Sequence, residues 1–258
     1  MHNLLIMALA PLALMHLGYL AAIKKNNFGL IDSIWGLGFI LIALTGCILH
    51  HFNDWRENLV GLLVLIWGLR LSLYLHSRNA GKPEDYRYAQ MRASWGSHAN
   101  QKAYLRVFLL QYFLMLLISL PLLVVHQNSA PIGLLDYLGV VLWVIGFGWE
   151  TVADYQKNKF KNQPGHQHKI CQVGLWKYSR HPNYFGEATL WWGISLISAS
   201  TGNYFGFLGV ALLNFLLLKV SGVPLIEKRY ENNPDYQAYK KLTPTLIPSI
   251  LKLLELRK

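Results

Sequence analysis

The sequence predicts an all-α, polytopic membrane protein with about seven transmembrane helices, and three observations support this prediction. Hydrophobic residues make up 53% of the 258 residues and charged residues only 14%, whereas a soluble domain has about 25% charged residues. The apolar residues form blocks of about 16–22 residues, which is long enough to cross a bilayer. Most lysines and arginines lie in every second connecting segment, as in multi-pass proteins.

The apolar blocks place the spans near residues 4–23, 30–50, 59–76, 104–125, 132–152, 185–200 and 204–225. The first block has no basic region before it, and Lys24 and Lys25 follow it. This order favours a retained helix over a cleaved signal peptide. No repeat, linker or low-complexity tract divides the sequence, so we expect a single domain over residues 1–258.

The distribution of basic residues predicts the topology. The segments after spans one, three, five and seven are basic, whereas those after spans two, four and six contain one basic residue, Arg56. The positive-inside rule therefore places the N-terminus outside and the C-terminal tail in the cytosol. Topology and attraction to anionic lipids account for the net charge of +11 without nucleic-acid binding.

Four charged residues lie within or at the ends of apolar spans, where charge is costly and tends to mark function or internal pairing. They are Asp32, Arg70, Glu150 and Glu187. Because successive helices run in alternate directions, all four should reach the cytosolic boundary. Two interpretations stay open: pairing between helices, for example Asp32 with Arg70, or a polar cavity that opens to the cytosol.

Two basic loops have the composition of an anion site. The loop at 78–92, RNAGKPEDYRYAQMR, suits a phosphate and a flat ring, although a solvated loop facing lipid is an equal alternative. The loop after span five contains DYQKNKFK at 154–161 and GLWKYSRHPNYFGE at 174–187. Pro182 fits the first turn of a helix, whose free N–H groups would favour a phosphate near Asn183. The surrounding cations are Lys161, Lys169, Lys177 and Arg180.

The histidines and cysteines do not predict a metal centre. His166, His168 and His181 have no paired carboxylate or thiol at short spacing, so we expect no metal site. Cys47 and Cys171 form no spaced framework and are expected to be isolated thiols. The absence of a G-x-G-x-x-G or P-loop motif excludes a soluble dinucleotide-binding module.

The segment GLWKYSRHPNYFGE, an apolar helix and the tail SGVPLIEKRYENNPDYQAYKKLTPTLIP together resemble the steroid 5α-reductase family, especially its bacterial branch of membrane reductases. That family has seven transmembrane helices and uses NADPH, bound from the cytosol, to reduce a carbon–carbon double bond conjugated to a ketone. The resemblance implies that residues 1–100 lie on the substrate side and that residues 150–258 bind the cofactor. Isoprenylcysteine carboxyl methyltransferases and phospholipid methyltransferases carry similar R-H-P-x-Y segments.

The resemblance also implies a set of NADPH-binding residues. Asn183 and Glu187 correspond to the cofactor-contacting Asn and Glu that open the sixth helix, and Asp154 corresponds to an acidic residue near the adenosine half. Lys161 and Lys169 stand where the family usually has arginines near the phosphates. The other residues assigned to the cofactor are Tyr178, Arg180, His181, Arg70, Lys82, Arg87 and Glu227.

The resemblance leaves the proton donor open, because the family's substrate-contacting Gln-Glu pair and Tyr have no direct match. The second helix offers Asp32 with Trp35, and the third offers Tyr74, so we assign these three residues to catalysis. Conjugate reduction needs a hydrogen-bond donor at the carbonyl oxygen, where negative charge develops. Asp32 could donate only if burial kept it protonated. In its ionised form it would orient Tyr74, a water or the nicotinamide.

We therefore expect NADPH-dependent reduction of a 3-oxo-4-ene steroid or a similar lipophilic enone by a monomer surrounded by membrane lipids. The cofactor site would face the cytosol, in a bacterial inner membrane or the endoplasmic reticulum. The alternative is an S-adenosylmethionine-dependent methyltransferase, whose tail carries an acidic pair and an aromatic segment similar to residues 227–239. A transporter or lipid-binding scaffold is less favoured, because no inverted repeat is evident.

Overall fold

A computed structural model describes residues 2–127 and 131–249, which are mainly helical and contain no strand. The predicted all-α fold is therefore confirmed. The helices are α1 (His2–Lys24), α2 (Leu30–Leu49), α3 (Trp55–Asn79), α4 (Tyr86–Ile118), α5 (Leu120–Val124), α6 (Leu134–Lys161), α7 (Pro182–Ala199), α8 (Gly206–Phe215), α9 (Val223–Arg229) and α10 (Pro234–Leu242). The α4 run includes a 3-10 turn at Gly96–His98 and a π-helical turn at Tyr104–Leu109.

Within the described residues, six helical runs are long and apolar enough to cross a membrane, which indicates a multi-pass membrane protein. They are α1, α2, α3, α4, α6 and the run Gly206–Arg229. The span predicted at 185–200 is the helix α7, but it is not one of the six. Its first half carries Asn183 and Glu187, while Leu190, Trp191 and Ile194 are fully buried within the protein.

The described structure forms two compact units. The first comprises Met1–Ile132 with Ile197–Gly209. In this unit α2 and α3 approach through two glycines: a Cβ on Gly36 would lie 2.5 Å from the carbonyl oxygen of Gly68, and a Cβ on Gly68 would lie 2.8 Å from that of Gly36. Such small residues let transmembrane helices pack at close range. The buried rings of Phe39 and Trp67, 5.6 Å apart, fill the same interface edge to face.

The second unit comprises Gly133–Leu196 with Val210–Lys258. Here α6 and α7 are in direct contact, because a Cβ on Gly146 would lie 2.6 Å from the carbonyl oxygen of Gly186, and the reverse distance is also 2.6 Å. Trp176 lies in the loop before α7 and donates from its ring nitrogen to the carbonyl oxygen of Ala153 on α6 (3.0 Å). The hydroxyl of Tyr239 on α10 donates to the carbonyl oxygen of Ser179 (3.0 Å). The expectation of a single domain over residues 1–258 stays a prediction.

Two segments that the sequence analysis treated as loops are largely helical. The loop predicted at 78–92 is reduced to residues 80–85, since α3 continues to Asn79 and α4 begins at Tyr86. The DYQKNKFK segment belongs to α6, which places Lys159 and Lys161 in its last turn, where the helix dipole favours positive charge. The predicted C-terminal ends of α3 and α6 were too early, because hydropathy marks only the apolar part of a helix and these helices continue into polar sequence. The tail beyond Ser249, part of the predicted basic tail, lies outside the described residues.

Candidate functional site

The first unit contains a cluster of three polar residues, Asp32, Arg87 and Tyr88, which we call the Asp32 cluster. Asp32 lies in the first turn of α2. Its Oδ1 accepts a hydrogen bond from the Tyr88 hydroxyl (2.7 Å), and its Oδ2 accepts one from Arg87 Nη2 (3.2 Å). The side chains of Asp32 and Arg87 are 20% and 31% exposed, and Tyr88 is buried. The start of α2 and the start of α4 therefore meet at one carboxylate.

Asp85 sets the geometry of Arg87. It is the N-cap of α4, and its Oδ1 accepts from the backbone N–H of Arg87 (3.0 Å) and from Arg87 Nε (2.9 Å). Partial burial would raise the pKa of Asp85, but the two hydrogen bonds and the charge of Arg87 outweigh burial and lower that pKa overall. Asp85 is therefore ionised near neutral pH and keeps Arg87 beside Asp32.

A second set of contacts joins the start of α2 to the same region of α4. Glu84 Oε1 accepts from the backbone N–H of Phe28 (2.6 Å), and its carboxylate binds Arg92 through two hydrogen bonds of 3.0 and 3.1 Å. The Arg92 guanidinium lies 3.8 Å from the centroid of the Phe28 ring, a cation–π distance. These contacts fix the turn that precedes Asp32.

The Asp32 cluster combines two residues that the sequence analysis had assigned to different roles. Asp32 was assigned to catalysis and Arg87 to the cofactor, whereas Tyr88 was not proposed as a catalytic residue. The sequence held part of the signal for Tyr88, because Glu84 and Asp85 after Pro83 form a helix-start pattern, but it did not show which element that helix would face. A helix that begins there turns Arg87 and Tyr88 towards one neighbour. Chemically, the cluster offers a phenol as hydrogen-bond donor and a guanidinium that stabilises negative charge.

The remaining residues predicted in this unit lie elsewhere on α2, α3 and the loop after α3. The Trp35 ring packs edge-on against Phe39, with centroids 5.3 Å apart. The Tyr74 ring is flanked by two guanidinium groups, 5.5 Å from Arg70 and 5.8 Å from Arg78. Lys82 is exposed in the loop at 80–85. The catalytic roles assigned to Trp35 and Tyr74 and the cofactor roles assigned to Arg70 and Lys82 stay predictions.

In the second unit, two residues assigned to the cofactor bind each other. Arg180 Nη2 donates to Glu227 Oε1 (2.6 Å) and to the hydroxyl of Thr245 (2.8 Å). Arg180 Nη1 donates to the carbonyl oxygens of Thr243 (2.6 Å) and Lys240 (3.2 Å). Arg180 therefore anchors the segment after α10 to the loop before α7. A phosphate would have to compete with these partners for its guanidinium.

The helix α7 begins at Pro182, which confirms the predicted helix start. His181 precedes it and is 1% exposed, and its Nε2 is buried without a hydrogen-bond partner among the described residues. Burial, followed by the positive charge of Lys157, lowers the pKa of His181 to about 3. The ring is therefore neutral and stacks on Tyr184, with centroids 5.5 Å apart.

The other residues assigned to the cofactor lie on α6, on α7 and in the loop between these helices. Asn183 and Glu187 are partly exposed on α7, and Tyr178 is buried in the loop before it. Asp154 is buried on α6. Lys161 Nζ donates to the carbonyl oxygens of Gln167 (2.8 Å) and Lys169 (2.6 Å), so it closes the loop after α6. The exposed Lys169 lines an open cleft of about 350 Å³ together with Phe160, His166, Ile170, Gln172, Asp235, Ala238, Tyr239 and Leu242.

Comparison with known proteins places this chain in a family. Residues 18–243 match the model of a family described as a protein of unknown function (DUF1295). The chain belongs to the DUF1295 family. The match includes both the Asp32 cluster and the segment around α7, so both are parts of the DUF1295 domain.

One relative is an uncharacterized protein of Schizosaccharomyces pombe (strain 972), which is 22% identical over 205 residues. That alignment covers 69% of this DUF1295 chain and 59% of the relative. The chain therefore spans less than two thirds of the length of that protein.

Proposed function

We propose that this protein is an NADPH-dependent membrane reductase, related to the steroid 5α-reductases, that reduces a carbon–carbon double bond conjugated to a ketone. The substrate would be a 3-oxo-4-ene steroid or a similar lipophilic enone. The observation that carries the proposal is the Asp32 cluster, where a tyrosine hydroxyl lies 2.7 Å from a carboxylate beside a guanidinium.

Each residue of the Asp32 cluster has a role in this proposal. The carbonyl oxygen of a conjugated enone gains negative charge when hydride adds to the β-carbon. On substrate binding the Tyr88 hydroxyl would turn its proton from Asp32 to that oxygen and protonate it. The enol formed in this way would tautomerise to the ketone, which places the second hydrogen on the α-carbon. Before the substrate binds, Asp32 would hold the hydroxyl in place through its hydrogen bond, and the positive charge of Arg87 would stabilise both the carboxylate and the developing enolate.

The residues at the start of α7 fit a bound dinucleotide. NADPH, when bound, supplies the hydride. The free N–H groups of a helix N-terminus favour phosphate, and Asn183 is exposed enough to contact a ligand there. The buried Nε2 of His181, which has no partner among the described residues, is a polar atom that a ligand could satisfy. Lys169 and Lys177 are exposed and available as cations, whereas Arg180 and Lys161 are engaged with protein groups.

The membrane setting supports a lipophilic substrate. Asp32 lies in the first turn of an apolar helix, and Trp35 is one turn further along the same helix and partly exposed. A flat, apolar molecule could reach this position from the bilayer with its carbonyl group at the polar end of the helix. By the positive-inside rule, this end of α2 faces the cytosol, where NADPH is available.

Ligand-dependent thermal unfolding of detergent-purified protein tests the proposal. A ligand that binds only the native state stabilises it by about 2.7 kcal/mol at a hundredfold excess over Kd. For a protein of this size, each kcal/mol of stabilisation raises the unfolding midpoint by about 2–4 °C. NADPH should produce such a rise and S-adenosylmethionine should not.

Two variants locate the cofactor in the same assay. Asn183→Ala should reduce the NADPH-dependent rise, whereas Asn100→Ala, an exposed position on α4, should leave it unchanged. Stabilisation by S-adenosylmethionine alone would overturn the reductase proposal in favour of methyl transfer. An unchanged NADPH response in Asn183→Ala would contradict the placement of the cofactor at α7.

A further inference from the structure

A second polar cluster lies at the opposite ends of α2 and α3 from the Asp32 cluster. It consists of His50, which follows α2, Glu57 in the first turns of α3, and His126, which follows α5. One ligand atom from each residue lies within 4.8 Å of the other two. His50 Nδ1 lies 3.0 and 2.9 Å from the two carboxylate oxygens of Glu57. Three segments distant in sequence thus bring two imidazoles and one carboxylate together.

The burial of this cluster is unusual for a simple surface ion pair. Glu57 is only 3% exposed, and its Oε1 faces Gly46 so closely that a Cβ there would lie 2.6 Å away. The rings of His50 and His126 are stacked, with centroids 4.1 Å apart. His126 Nδ1 is buried and has no hydrogen-bond partner among the described residues. A buried nitrogen without a partner is costly, and a bound cation would satisfy it.

A neighbouring side chain is placed to support His50 as a ligand. His50 Nε2 lies 3.2 Å from the side-chain amide of Asn3. Asn3 Nδ2 faces the ring in this contact, so a cation at Nδ1 requires the Asn3 amide to turn and present its oxygen to a proton on Nε2. Such an outer hydrogen bond is typical of metal-ligating histidines.

We propose that His50, Glu57 and His126 form a binding site for a divalent cation of the zinc class. Two imidazoles and one carboxylate are a donor set that zinc uses when a further coordination position is open to water or another ligand. Zinc ligands stand about 2.0–2.2 Å from the ion, so atoms within 4.8 Å of one another converge through small side-chain rotations. No metal site was expected from the sequence, because the histidines considered there, His166, His168 and His181, have no carboxylate or thiol at short spacing.

The proposed ion would join the α2–α3 hairpin to the segment after α5. According to the predicted topology, this cluster lies on the external side of the membrane, away from the proposed reductase chemistry. The site is therefore independent of the proposed function, and each can fail without the other.

Metal titration of the full-length, tag-free protein in detergent tests this proposal. The protein is first stripped with a chelator and then titrated with Co²⁺, whose visible absorption reports coordination, followed by displacement with Zn²⁺. The wild type should bind one equivalent. Glu57→Gln preserves the shape of the side chain and removes its charge, and His126→Ala removes one ligand. Each should weaken binding by at least about tenfold, the lower end of the loss seen when even outer partners are removed.

The neighbouring His51→Ala serves as the control, because His51 is exposed and is not part of the cluster. It should bind Co²⁺ as the wild type does. Far-ultraviolet circular dichroism establishes that each variant is folded, and Glu57→Gln keeps the test available if His126→Ala does not fold. Absence of stoichiometric binding by the wild type, or wild-type affinity in both Glu57→Gln and His126→Ala, would overturn the proposal.

Discussion

We predict opposite effects on stability for alanine at two glycines of α6, because only one of them lies at the contact with α7. A methyl group added at Gly146 would lie 2.6 Å from the carbonyl oxygen of Gly186. Unstrained non-bonded contacts are about 3.5–4.0 Å, and the neighbouring backbone cannot rotate away. A methyl group added at Gly148, two residues further on, would meet no atom within 4 Å. Gly146→Ala and Gly148→Ala therefore differ only in whether the new methyl group has space.

The magnitudes follow from two opposing effects. Replacing glycine by alanine inside a helix gains up to about 1 kcal/mol of helix propensity. Overpacking a tight interface costs about 1–3 kcal/mol, and here it separates two helices. Because the clashing atoms belong to the backbone, the upper part of that range applies, about 2–3 kcal/mol. Gly146→Ala should therefore lower the free energy of unfolding by about 1–2 kcal/mol after the gain in helix propensity. Gly148→Ala should leave it unchanged or raise it by up to about 1 kcal/mol.

Thermal unfolding of the two variants in the same detergent measures the difference. The Gly146→Ala midpoint should fall below that of the wild type, and the Gly148→Ala midpoint should equal or exceed it. Equal midpoints for the two variants, or a stabilised Gly146→Ala, would refute the close approach of α6 and α7.

Two further predictions concern the loop before α7. Arg180→Met removes the ion pair with Glu227 and the hydrogen bonds to the carbonyl oxygens of Thr243 and Lys240. Glu227 keeps its ion pair with Lys240, so the variant should lose less than the roughly 3–5 kcal/mol that an orphaned buried charge costs. Limited proteolysis should cleave the segment after α10 faster than in Lys241→Met, an exposed control. His181 has a pKa of about 3 in the folded protein, below the value of about 6.5 in an unfolded chain. As pH falls from 6.5 towards 3, the unfolded state gains a proton that the folded state does not, so stability should fall by up to about 1.4 kcal/mol per pH unit. His181→Phe keeps a ring against Tyr184 and should flatten the pH dependence of the unfolding midpoint; identical slopes in both proteins would contradict this.

The helical membrane fold was predictable from sequence because length and hydropathy are local properties. The apolar blocks became helical, although the block at 104–125 is divided between α4 and α5, and α7 begins at Pro182. The helix ends were harder to predict, since the polar extensions of α3 and α6 depend on caps and charges rather than on hydropathy. The anchoring role of Arg180 was hidden for a different reason, because its partners after α10 are distant in sequence.

The candidate site was only partly predictable. Asp32 stood out as a carboxylate in an apolar helix, but its partner could not be chosen from sequence. Asp32 could pair with Arg70 or with a basic residue of the segment 78–92, which was predicted to be a loop. The choice depends on where α4 begins. Once Asp85 caps that helix, Arg87 and Tyr88 face Asp32. The cluster of His50, Glu57 and His126 had no signal in the sequence, because these residues approach one another only when α2, α3 and the segment after α5 pack together.

The most direct test of the central claim is the rate of NADPH oxidation by purified protein in the presence of a 3-oxo-4-ene steroid. We predict steroid-dependent oxidation by the wild type. Because a positioned acid contributes about 10²–10⁴-fold, kcat/KM should fall by at least about a hundredfold in Tyr88→Phe. Tyr137→Phe, which alters an exposed tyrosine, should retain the wild-type rate. Wild-type activity in Tyr88→Phe, or no oxidation of NADPH with any steroid enone, would contradict the account.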